Sequence, residues 1–346
     1  MATMLDVSVK AGVSMSTVSR VLNGTAKISE ETKKIVYQAV EELGYRPNAI
    51  AQSLAKDETN TIGLVIPRGA NISRYLGIVI EMCQELADKL GKYLIITQVN
   101  DEDNGAVKAI SSLVDRRCDA ILYYNNSFFD NQSNQENQIN DLIEKLKIPL
   151  IVMNHHSPNH PNNCVWFDHS LSARIPVDYL LSKGHTKIAY ISGPLHQRTA
   201  QLRLEGYLKA LECAGIPFQP LLMAEGDRLL SGGYSACNQL LQRKVEFTAI
   251  CCFNDQTAIG ALKALAERGI SVPDTISLVG FDNDDVSSYQ NPSLCTVSLP
   301  IHTFVQTAFN YLIANLNKTN LPDIDQNGFI GELILGSSVK DLTKTE

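Results

Sequence analysis

The sequence predicts an α/β protein that carries a small helical domain at its N-terminus. Three observations indicate this fold class. Short amphipathic segments fill the first 45 residues, a polar stretch follows them, and from Thr61 onwards apolar runs of strand length alternate with segments of helical length. With 346 residues, 44% of them hydrophobic and 19% charged, the chain can bury a sizeable core in about two or three domains.

The first region predicts three short helices. Leu5 and Val9 share a helical face in the first helix, and the second runs to about Asn23. The expected caps are Ser14 and Ser29 at N-termini and Gly12 and Gly44 at C-termini. The residues expected to face inward are Val18, Val21 and Leu22 in the second helix and Ile35, Val36, Ala39, Val40 and Leu43 in the third. Two short helices joined by a glycine-containing turn are typical of a helix-turn-helix, and the alternative is a three-helix cap on an enzyme.

The polar stretch follows the third helix. Pro47 breaks that helix, and residues 48–55 could then form two further helical turns. A helix of this length is marginal alone in water. Residues 56–60 are polar and predict a linker.

The remaining chain predicts parallel sheets covered by helices. The strand candidates are TIGLVI, KYLIIT, AILYY, PLIVMN, CVWFD, KIAYIS, AICCFN and ISLVGF. The helical candidates are residues 75–90, 106–117, 137–146, 171–182, 202–214, 234–242 and 256–268. Continuous apolar runs are typical of buried parallel strands, and a region of this length favours two doubly wound subdomains. In such folds a ligand binds beyond the carboxyl ends of the strands, where Asn154, Asp168, Asn254 and Asp282 stand.

Charge and motifs exclude several classes of protein. The net charge is −7, but residues 1–56 carry seven basic and five acidic side chains, a weak indication of a DNA-binding module. No apolar run suits a transmembrane helix, and no basic segment followed by an apolar stretch predicts a secretory signal, so we expect a cytoplasmic location. The sequence contains no P-loop, GxSxG or HExxH motif and no GxGxxG after a strand, so we expect neither an enzyme nor a cofactor.

Metal binding is not expected either. The eight cysteines form no CxxC pair and are expected to be reduced core thiols. His155 and His156 are adjacent after a strand, where neighbouring side chains point in opposite directions, so we do not expect both to ligate one metal ion.

Two strings at the N-terminus resemble the LacI/GalR family of transcription repressors. They are DVSVKAGVSMSTVSRVLNG and SEETKKIVYQAVEELGYRPNAIAQSLA, and the resemblance continues to about Leu342 through TIGLVIP, GHTKIAYISGP, LRLEGY, FNDQTAIGALKAL and GISVPDTISLVGFDN. Among members, the chain looks most similar to regulators of galactoside and β-glucoside operons. The resemblance implies a helix-turn-helix domain over residues 1–46, a hinge helix and linker over 47–60, and a periplasmic-binding-protein-like core of two doubly wound α/β subdomains over 61–342. The N-subdomain would take about 61–162 and 294–324, and the C-subdomain about 163–292 and 325–342.

The resemblance also implies the residues that meet DNA. Base reading would belong to Met15, Ser16 and Arg20, and Arg20 can make a bidentate contact to guanine worth about 1–3 kcal/mol of discrimination. Leu54 would enter the minor groove as an apolar wedge, and the small Ala51 would let two hinge helices approach. The residues that would hold the DNA backbone are Ser14, Thr17, Ser19, Asn23, Asn48 and Lys56.

Effector binding would fall on strand ends in the core. Four positions match the family's pocket, namely Asn154, Arg203, Asn254 and Asp282, and Thr199 aligns with a pocket position in purine-sensing relatives. Tyr75, Phe167 and the single tryptophan, Trp166, are candidates for an aromatic wall, and the alternative is that the polar residues only cap helices and strands. Some lactose-type members have a tryptophan after a GD pair, where this chain reads EGDRLLSGGY. That departure argues against a lactose-like ligand and leaves open another glycoside or, given Arg68 and Arg228, a phosphorylated sugar.

The resemblance therefore implies a repressor of a carbohydrate-utilisation operon that binds a palindromic operator as a homodimer. A small sugar or glycoside would release it. The alternatives are the same fold with a purine or sugar phosphate as corepressor, or a cytoplasmic sugar-binding protein. The C-terminal segment SSVKDLTKTE has no leucine heptads, so a dimer is expected rather than a tetramer.

Overall fold

The chain divides into two units in a computed structural model. They comprise Met1–Thr61 and Ile62–Glu346, and each is described by itself. The structure describes residues 2–24, 28–45, 59–67, 74–99, 104–125, 132–320 and 328–344.

The described residues of the N-terminal unit form three helices, as the sequence predicts for its first 45 residues. They are α1 (Met4–Ala11), α2 (Met15–Asn23) and α3 (Glu30–Leu43). The Ser14 side chain accepts a hydrogen bond from Thr17 N and the Ser29 side chain accepts one from Thr32 N, so both predicted N-caps are confirmed. Gly12, Gly24 and Gly44 end the three helices in the left-handed conformation, which glycine adopts without steric cost.

The core of this unit corrects part of the predicted pattern. Val18 and Val21 of α2 are buried together with Val36 and Ala39 of α3, as expected. Three residues expected on apolar faces are instead exposed, namely Leu5 (57%), Val9 (75%) and Ile35 (45%). The reason is that α1 turns its other face, with Val7, Ser8 and Ala11, towards its neighbours, because small side chains there allow close helix contact.

The second unit alternates strands and helices. Its strands are β1 (Thr61–Pro67), β2 (Tyr93–Val99), β3 (Ala120–Tyr124), β4 (Leu150–Met153), β5 (Cys164–Val165), β6 (Ile188–Ser192), β7 (Met223–Glu225), β8 (Ala249–Cys252), β9 (Ser277–Val279), β10 (Thr296–Ser298) and β11 (Glu332–Ile334). Its helices are α4 (Arg74–Lys89), α5 (Gly105–Asp115), α6 (Gln132–Lys145), α7 (His169–Ser182), α8 (Arg198–Cys213), α9 (Leu230–Gln242), α10 (Asp255–Ala266), α11 (Asp285–Ser288) and α12 (Ile301–Asn317).

Two sheets organise these elements. The first has the order β2-β1-β3-β4-β5 and the second the order β7-β6-β8-β9, while β10 and β11 form an antiparallel pair. The β1–β3, β3–β4 and β4–β5 pairs are parallel, and so are all pairs of the second sheet. The predicted α/β class with two parallel sheets is therefore confirmed.

The chain crosses between the sheets after β5 and again before α12. Cys164 and Val165 pair with Val152 and Met153 of β4, so the first sheet continues to Val165, beyond the expected end at about residue 162. After β10 the chain returns to the first sheet, because α12 packs on its core with α4. The two sheets are thus joined by the segment after β5 and by the segment before α12.

Close backbone contact joins α9 to α10 in the second subdomain. A Cβ atom on Gly260 would collide with the carbonyl oxygen of Leu230, and one on Gly233 would collide with that of Thr257. The two helices therefore approach only because these positions lack side chains.

Gly260→Ala is expected to lower the free energy of unfolding by about 3 kcal/mol, the upper end of what overpacking costs. The clash is with backbone, which cannot rotate away. Urea unfolding of the full chain measures this loss. Ser235→Ala on the exposed face of α9 is the control and should change stability by less than about 0.5 kcal/mol. Equal stability of the two variants would contradict the contact.

Candidate functional site

The second helix of the N-terminal unit exposes both polar and apolar side chains. Met15, Ser16 and Arg20 are exposed on α2, whereas Val18 is buried in the helical core. An exposed arginine on a short helix after a tight turn suits a base edge in the major groove.

The neighbouring polar residues are partly engaged within the helix. Ser14 Oγ lies 2.8 Å from Ser16 Oγ and 2.9 Å from Thr17 Oγ1, and Asn23 Nδ2 donates to Ser19 Oγ at 3.2 Å. These hydroxyls are held in place at the start and end of α2. The predicted hinge residues Asn48, Ala51, Leu54 and Lys56 lie outside the described residues.

A cavity of about 960 Å³ lies between the two sheets of the second unit. All seven residues predicted for effector binding line it, which are Tyr75, Asn154, Phe167, Thr199, Arg203, Asn254 and Asp282. The other lining residues are Tyr124, His169, Gln197, Arg228, Leu229, Leu230, Ser231, Phe253, Gln256, Asp284, Asp285, Val286 and Leu299. The structure therefore brings the predicted residues together in one place.

The strand ends explain this convergence. Asn154 directly follows β4, Asn254 comes two residues after β8, and Asp282 comes three residues after β9. Since the strands within each sheet are parallel, their carboxyl ends meet at one edge, and the two edges face one cavity. Trp166 lies elsewhere, with its ring 4.5 Å from that of His156 and against Gly328.

Arg203 and Asp282 form a buried ion pair on the wall of the cavity. Arg203 is only 5% exposed, and its Nη2 donates to Asp282 Oδ1 at 2.9 Å. Its Nη1 donates to Phe253 O at 2.6 Å, and its guanidinium lies 3.7 Å from the centre of the Phe281 ring. Its Nε is buried without a hydrogen-bond partner among the described residues. The guanidinium is therefore rigidly held and keeps one donor unused.

Burial shifts the titration of two carboxyl groups here. It raises the pKa of Asp282 to about 6, while the charge of Arg203 opposes the rise. Burial raises the pKa of Asp255 to about 7, and hydrogen bonds from Thr296 oppose that rise. Asp255 Oδ2 accepts from Asp284 N and its Oδ1 accepts from Thr296 Oγ1, each at 2.7 Å. Asp255, which the sequence did not single out, thus fixes the loop that carries Asp282.

Tyr75 ties the two subdomains together at the cavity. Its hydroxyl donates to Asp282 O at 2.9 Å and accepts from Leu299 N at 3.1 Å. Burial raises the pKa of this phenol, so it stays protonated. Both hydrogen-bonding roles of the hydroxyl are filled by backbone, and the ring is what Tyr75 offers to a ligand.

Capping occupies some of the other predicted residues. Asn254 Oδ1 accepts from Thr257 N at 2.9 Å and caps α10, while its Nδ2 donates to Arg228 O at 3.1 Å. Asp168 caps α7 by accepting from Leu171 N at 2.8 Å and does not line the cavity. The alternative considered from sequence, that polar residues at strand ends serve as caps, holds for Asp168 and in part for Asn254.

The remaining predicted residues differ in burial. Phe167 is buried and stacks on Phe304 with ring centres 4.0 Å apart, so one edge of a rigid aromatic cluster reaches the cavity. Thr199 lies partly buried in the first turn of α8. Asn154 adopts a left-handed conformation, with its Nδ2 donating to Asn125 O at 3.1 Å and its Oδ1 3.0 Å from His169 Nε2.

Sequence reasoning missed several lining residues. His169, the first residue of α7, and Gln197, directly before α8, are buried polar residues. Nothing in the sequence at these positions distinguishes a ligand contact from a structural residue. Leu229, Leu230 and Val286 are exposed apolar residues on the second subdomain's side of the cavity. Exposed apolar side chains are common on protein surfaces, so these residues can be identified as lining residues only from the structure of the cavity.

The lining carries mixed charge. Arg203 and Arg228 are basic, whereas Asp282, Asp284 and Asp285 are acidic. Burial lowers the pKa of Arg228 and that of His169, whose imidazole is held well below its usual range. A neutral ligand with both donors and acceptors suits this balance better than an anion.

The described residues show neither a metal cluster nor a membrane-spanning helix. Among them, no group of three or more His, Cys, Asp or Glu side chains could hold a metal ion. His155 is buried with Nδ1 3.5 Å from Asn125 Nδ2, whereas His156 is exposed. In the part of the chain that the structure describes, no helix is long and apolar enough to span a membrane.

Comparison with known proteins identifies relatives of both units. Residues 3–48 match the family model described as bacterial regulatory proteins, lacI family, and residues 177–339 match that of a periplasmic binding protein-like domain. The HTH-type transcriptional regulator AscG of Escherichia coli (strain K12) is 36% identical over 317 residues, covering 92% of this chain and 93% of AscG. GalR of the same strain is 36% identical over 341 residues, covering 98% and 96%. A crystal structure of the lac repressor dimer bound to operator and the anti-inducer ONPF matches with a TM-score of 0.86 and 29% identity, covering 98% of this chain and 99% of that one.

Proposed function

The chain belongs to the LacI family of bacterial transcriptional regulators, and from this we propose that it represses a carbohydrate-utilisation operon. In this proposal a homodimer binds a palindromic operator, and a small sugar or glycoside in the cavity releases it. The relatives named above are transcriptional regulators, so no reaction is proposed for the chain. We propose a cytoplasmic location for the chain, because a repressor of this kind acts on operator DNA.

The observation that carries the sugar proposal is the Arg203–Asp282 pair. A fixed guanidinium donor beside a carboxylate acceptor matches neighbouring hydroxyl groups, since each hydroxyl can both accept and donate. The rings of Phe167 and Phe253 add apolar surface for the carbon face of a sugar ring. The three acidic residues of the lining disfavour a phosphorylated ligand, which would also carry negative charge.

The geometry around Tyr75 supports coupling of the cavity to the rest of the chain. Tyr75 stands on α4, which packs with α12 on the first sheet, and its hydroxyl holds the backbone of Asp282. A ligand that moves Asp282 towards itself therefore pulls on α4. Such a ligand changes operator affinity only if it binds the two conformations with different affinity.

At the DNA end, the exposed face of α2 supports base reading by Met15, Ser16 and Arg20. Contacts with the DNA backbone are proposed for Ser14, Thr17, Ser19 and Asn23, and for Asn48 and Lys56 of the hinge. Leu54 acts as the minor-groove wedge, and Ala51 permits close approach of the two hinge helices.

A thermal-shift screen of the purified full chain tests the ligand class. The panel contains monosaccharides, disaccharides, glycosides, sugar phosphates and purines. A ligand at about one hundred times its Kd stabilises the folded state by about 2.7 kcal/mol, enough to raise the melting temperature. We expect neutral sugars or glycosides to raise it. A rise with sugar phosphates or purines alone would reassign the pocket and favour corepression.

Sugar affinity is expected to fall when the pH drops below about 6. Asp282, whose pKa burial raises to about 6, is charged above that pH and accepts from Arg203 and the ligand. Protonation removes the charged acceptor, so the contribution of Asp282 to affinity should fall about tenfold for each pH unit below 6 and stay constant above 7. Calorimetric titration between pH 5 and 8 measures this.

Asp282→Asn is the control for this pH dependence. The variant should bind more weakly and with a flat profile across the Asp282 range, and any remaining slope near pH 7 would belong to Asp255. A pH profile of affinity identical to that of the parent chain would show that Asp282 does not bind the sugar.

A further inference from the structure

His169 is a buried cavity residue that the predicted site does not include. It is the first residue of α7, directly after the segment that leaves the first sheet. It is 6% exposed and lines the cavity with Asn154 and Arg203. The side chain thus lies between the subdomains and is almost closed off from bulk water.

The surroundings of His169 fix its tautomer. Asn154 Nδ2 donates to Asn125 O, so Asn154 Oδ1 is the atom that faces His169 Nε2, at 3.0 Å. A carbonyl oxygen only accepts, so Nε2 carries the proton. Burial and the charge of Arg203 hold the pKa of His169 well below its usual range, so the ring is neutral. It follows that Nδ1 is an unprotonated acceptor.

This acceptor has no partner in the described part of the chain. His169 Nδ1 is buried, and no described donor lies within hydrogen-bond distance of it. The Nε of Arg203, on the same cavity wall, is a buried donor in the same condition. Both atoms are closed to water in this structure, and buried polar atoms are costly to leave unpaired. A ligand that supplies a donor to His169 and an acceptor to Arg203 therefore favours a conformation of the cavity wall that lets it reach them.

We propose that His169 Nδ1 accepts a hydrogen bond from a hydroxyl group of the ligand and so selects polyhydroxyl ligands over anionic ones. The inference rests on the proposed binding of a neutral sugar or glycoside in this cavity. A hydroxyl satisfies the acceptor on His169 and can accept in turn from a neighbouring donor. Phosphate and carboxylate oxygens only accept, and they would place a lone pair against that of Nδ1. His169 is therefore a specificity-determining residue.

Two substitutions separate the Nδ1 atom from the rest of the ring. In His169→Asn, Oδ1 stands where Nδ1 stood, two bonds from Cβ, so an acceptor is kept. In His169→Gln, the polar atoms stand one bond further out, so the contact with Asn154 can be kept but the acceptor is lost. The melting temperature of each variant without ligand shows whether it is folded.

The test is a thermodynamic cycle between these variants and the hydroxyl groups of a probe. The probe is methyl β-D-glucopyranoside, with each of its monodeoxy and monofluoro derivatives, and binding is measured by calorimetry on the full chain. We expect one deoxy position to weaken binding to the parent chain at least about tenfold, as loss of a buried hydrogen bond does. The fluoro derivative at that position should lose as much, because fluorine cannot donate. In His169→Gln the same deoxy change should cost almost nothing, and His169→Asn should fall between.

Other outcomes overturn the inference in distinguishable ways. If His169→Gln binds the probe as tightly as the parent chain, or if every deoxy penalty simply adds to that of the substitution, His169 does not accept from the ligand. If the parent chain binds neither this probe nor any sugar of the thermal-shift panel, the proposed sugar site itself fails and the role of His169 fails with it.

Discussion

Arg203→Met is expected to abolish the response to the sugar, with affinity lowered about a hundredfold, because charged hydrogen bonds contribute about 1.5–3 kcal/mol each. Methionine keeps most of the packing against Phe253 and Phe281 but removes the guanidinium that binds Asp282. Breaking a buried ion pair also costs about 3–5 kcal/mol of stability. We expect the lower end of that range, since Asp282 can take up a proton once Arg203 is gone.

Stability and binding can be separated by a double variant. Arg203→Met with Asp282→Asn leaves no buried charge unpaired, so much of the stability should return while ligand binding does not. Urea unfolding and calorimetry on the same samples measure the two effects. Near-parental sugar affinity in Arg203→Met would show that the ion pair does not bind the sugar.

Arg20→Ala is expected to lower operator affinity by about 1–3 kcal/mol for each half-site and to relax base preference at one position of each. Arg20 is exposed on α2 next to the buried Val21, so its removal should leave the fold of the N-terminal unit intact. Selection of bound duplexes from a random library, with parent and variant at one fixed salt concentration, measures both effects. An unchanged selected sequence would contradict base reading by Arg20.

Leu54→Ala should also lower operator affinity but leave base preference unchanged. A lost wedge weakens binding to all sequences that must be kinked, so affinity should fall without a change in the bases selected in the major groove. The two variants therefore distinguish direct base reading from deformation of the duplex. Parental operator affinity in Leu54→Ala would exclude the wedge.

The sequence predicted the architecture well where elements were long or strongly patterned. Eight continuous apolar runs became strands. Seven of them are buried, as expected where both faces of a parallel sheet are covered, whereas β2 has no buried residue. Strands β7, β10 and β11 were missed, since each is short and lacks the continuous apolar run that marks the equally short β9. Helix α12 was missed because it is buried around much of its circumference, so its apolar residues form no single stripe. Leu5 and Val9 mark the converse error, an apolar pair on an exposed face.

The cavity was predicted from strand ends and from family resemblance. The hydrogen-bond partners of the residues that line it were not predicted. Asp282 and Arg203 could be named from sequence, but their pairing at 2.9 Å depends on contacts 79 residues apart. Tyr75 was expected to face the ligand, yet its hydroxyl is used by backbone from two distant segments. His169 carries no local signal at all. Only the position of Asn154 shows which ring nitrogen is protonated.

Operator affinity with and without a bound sugar is the measurement that bears most directly on the proposed function. Fluorescence anisotropy of the duplex selected by the parent chain would be followed as the full chain is titrated, alone and at saturating concentration of the sugar that most raises its melting temperature. Tight binding alone and at least about tenfold weaker binding with sugar are expected, with Arg203→Met binding equally in both conditions. Equal affinity of the parent chain with and without sugar, or tighter binding with it, would contradict release by a sugar.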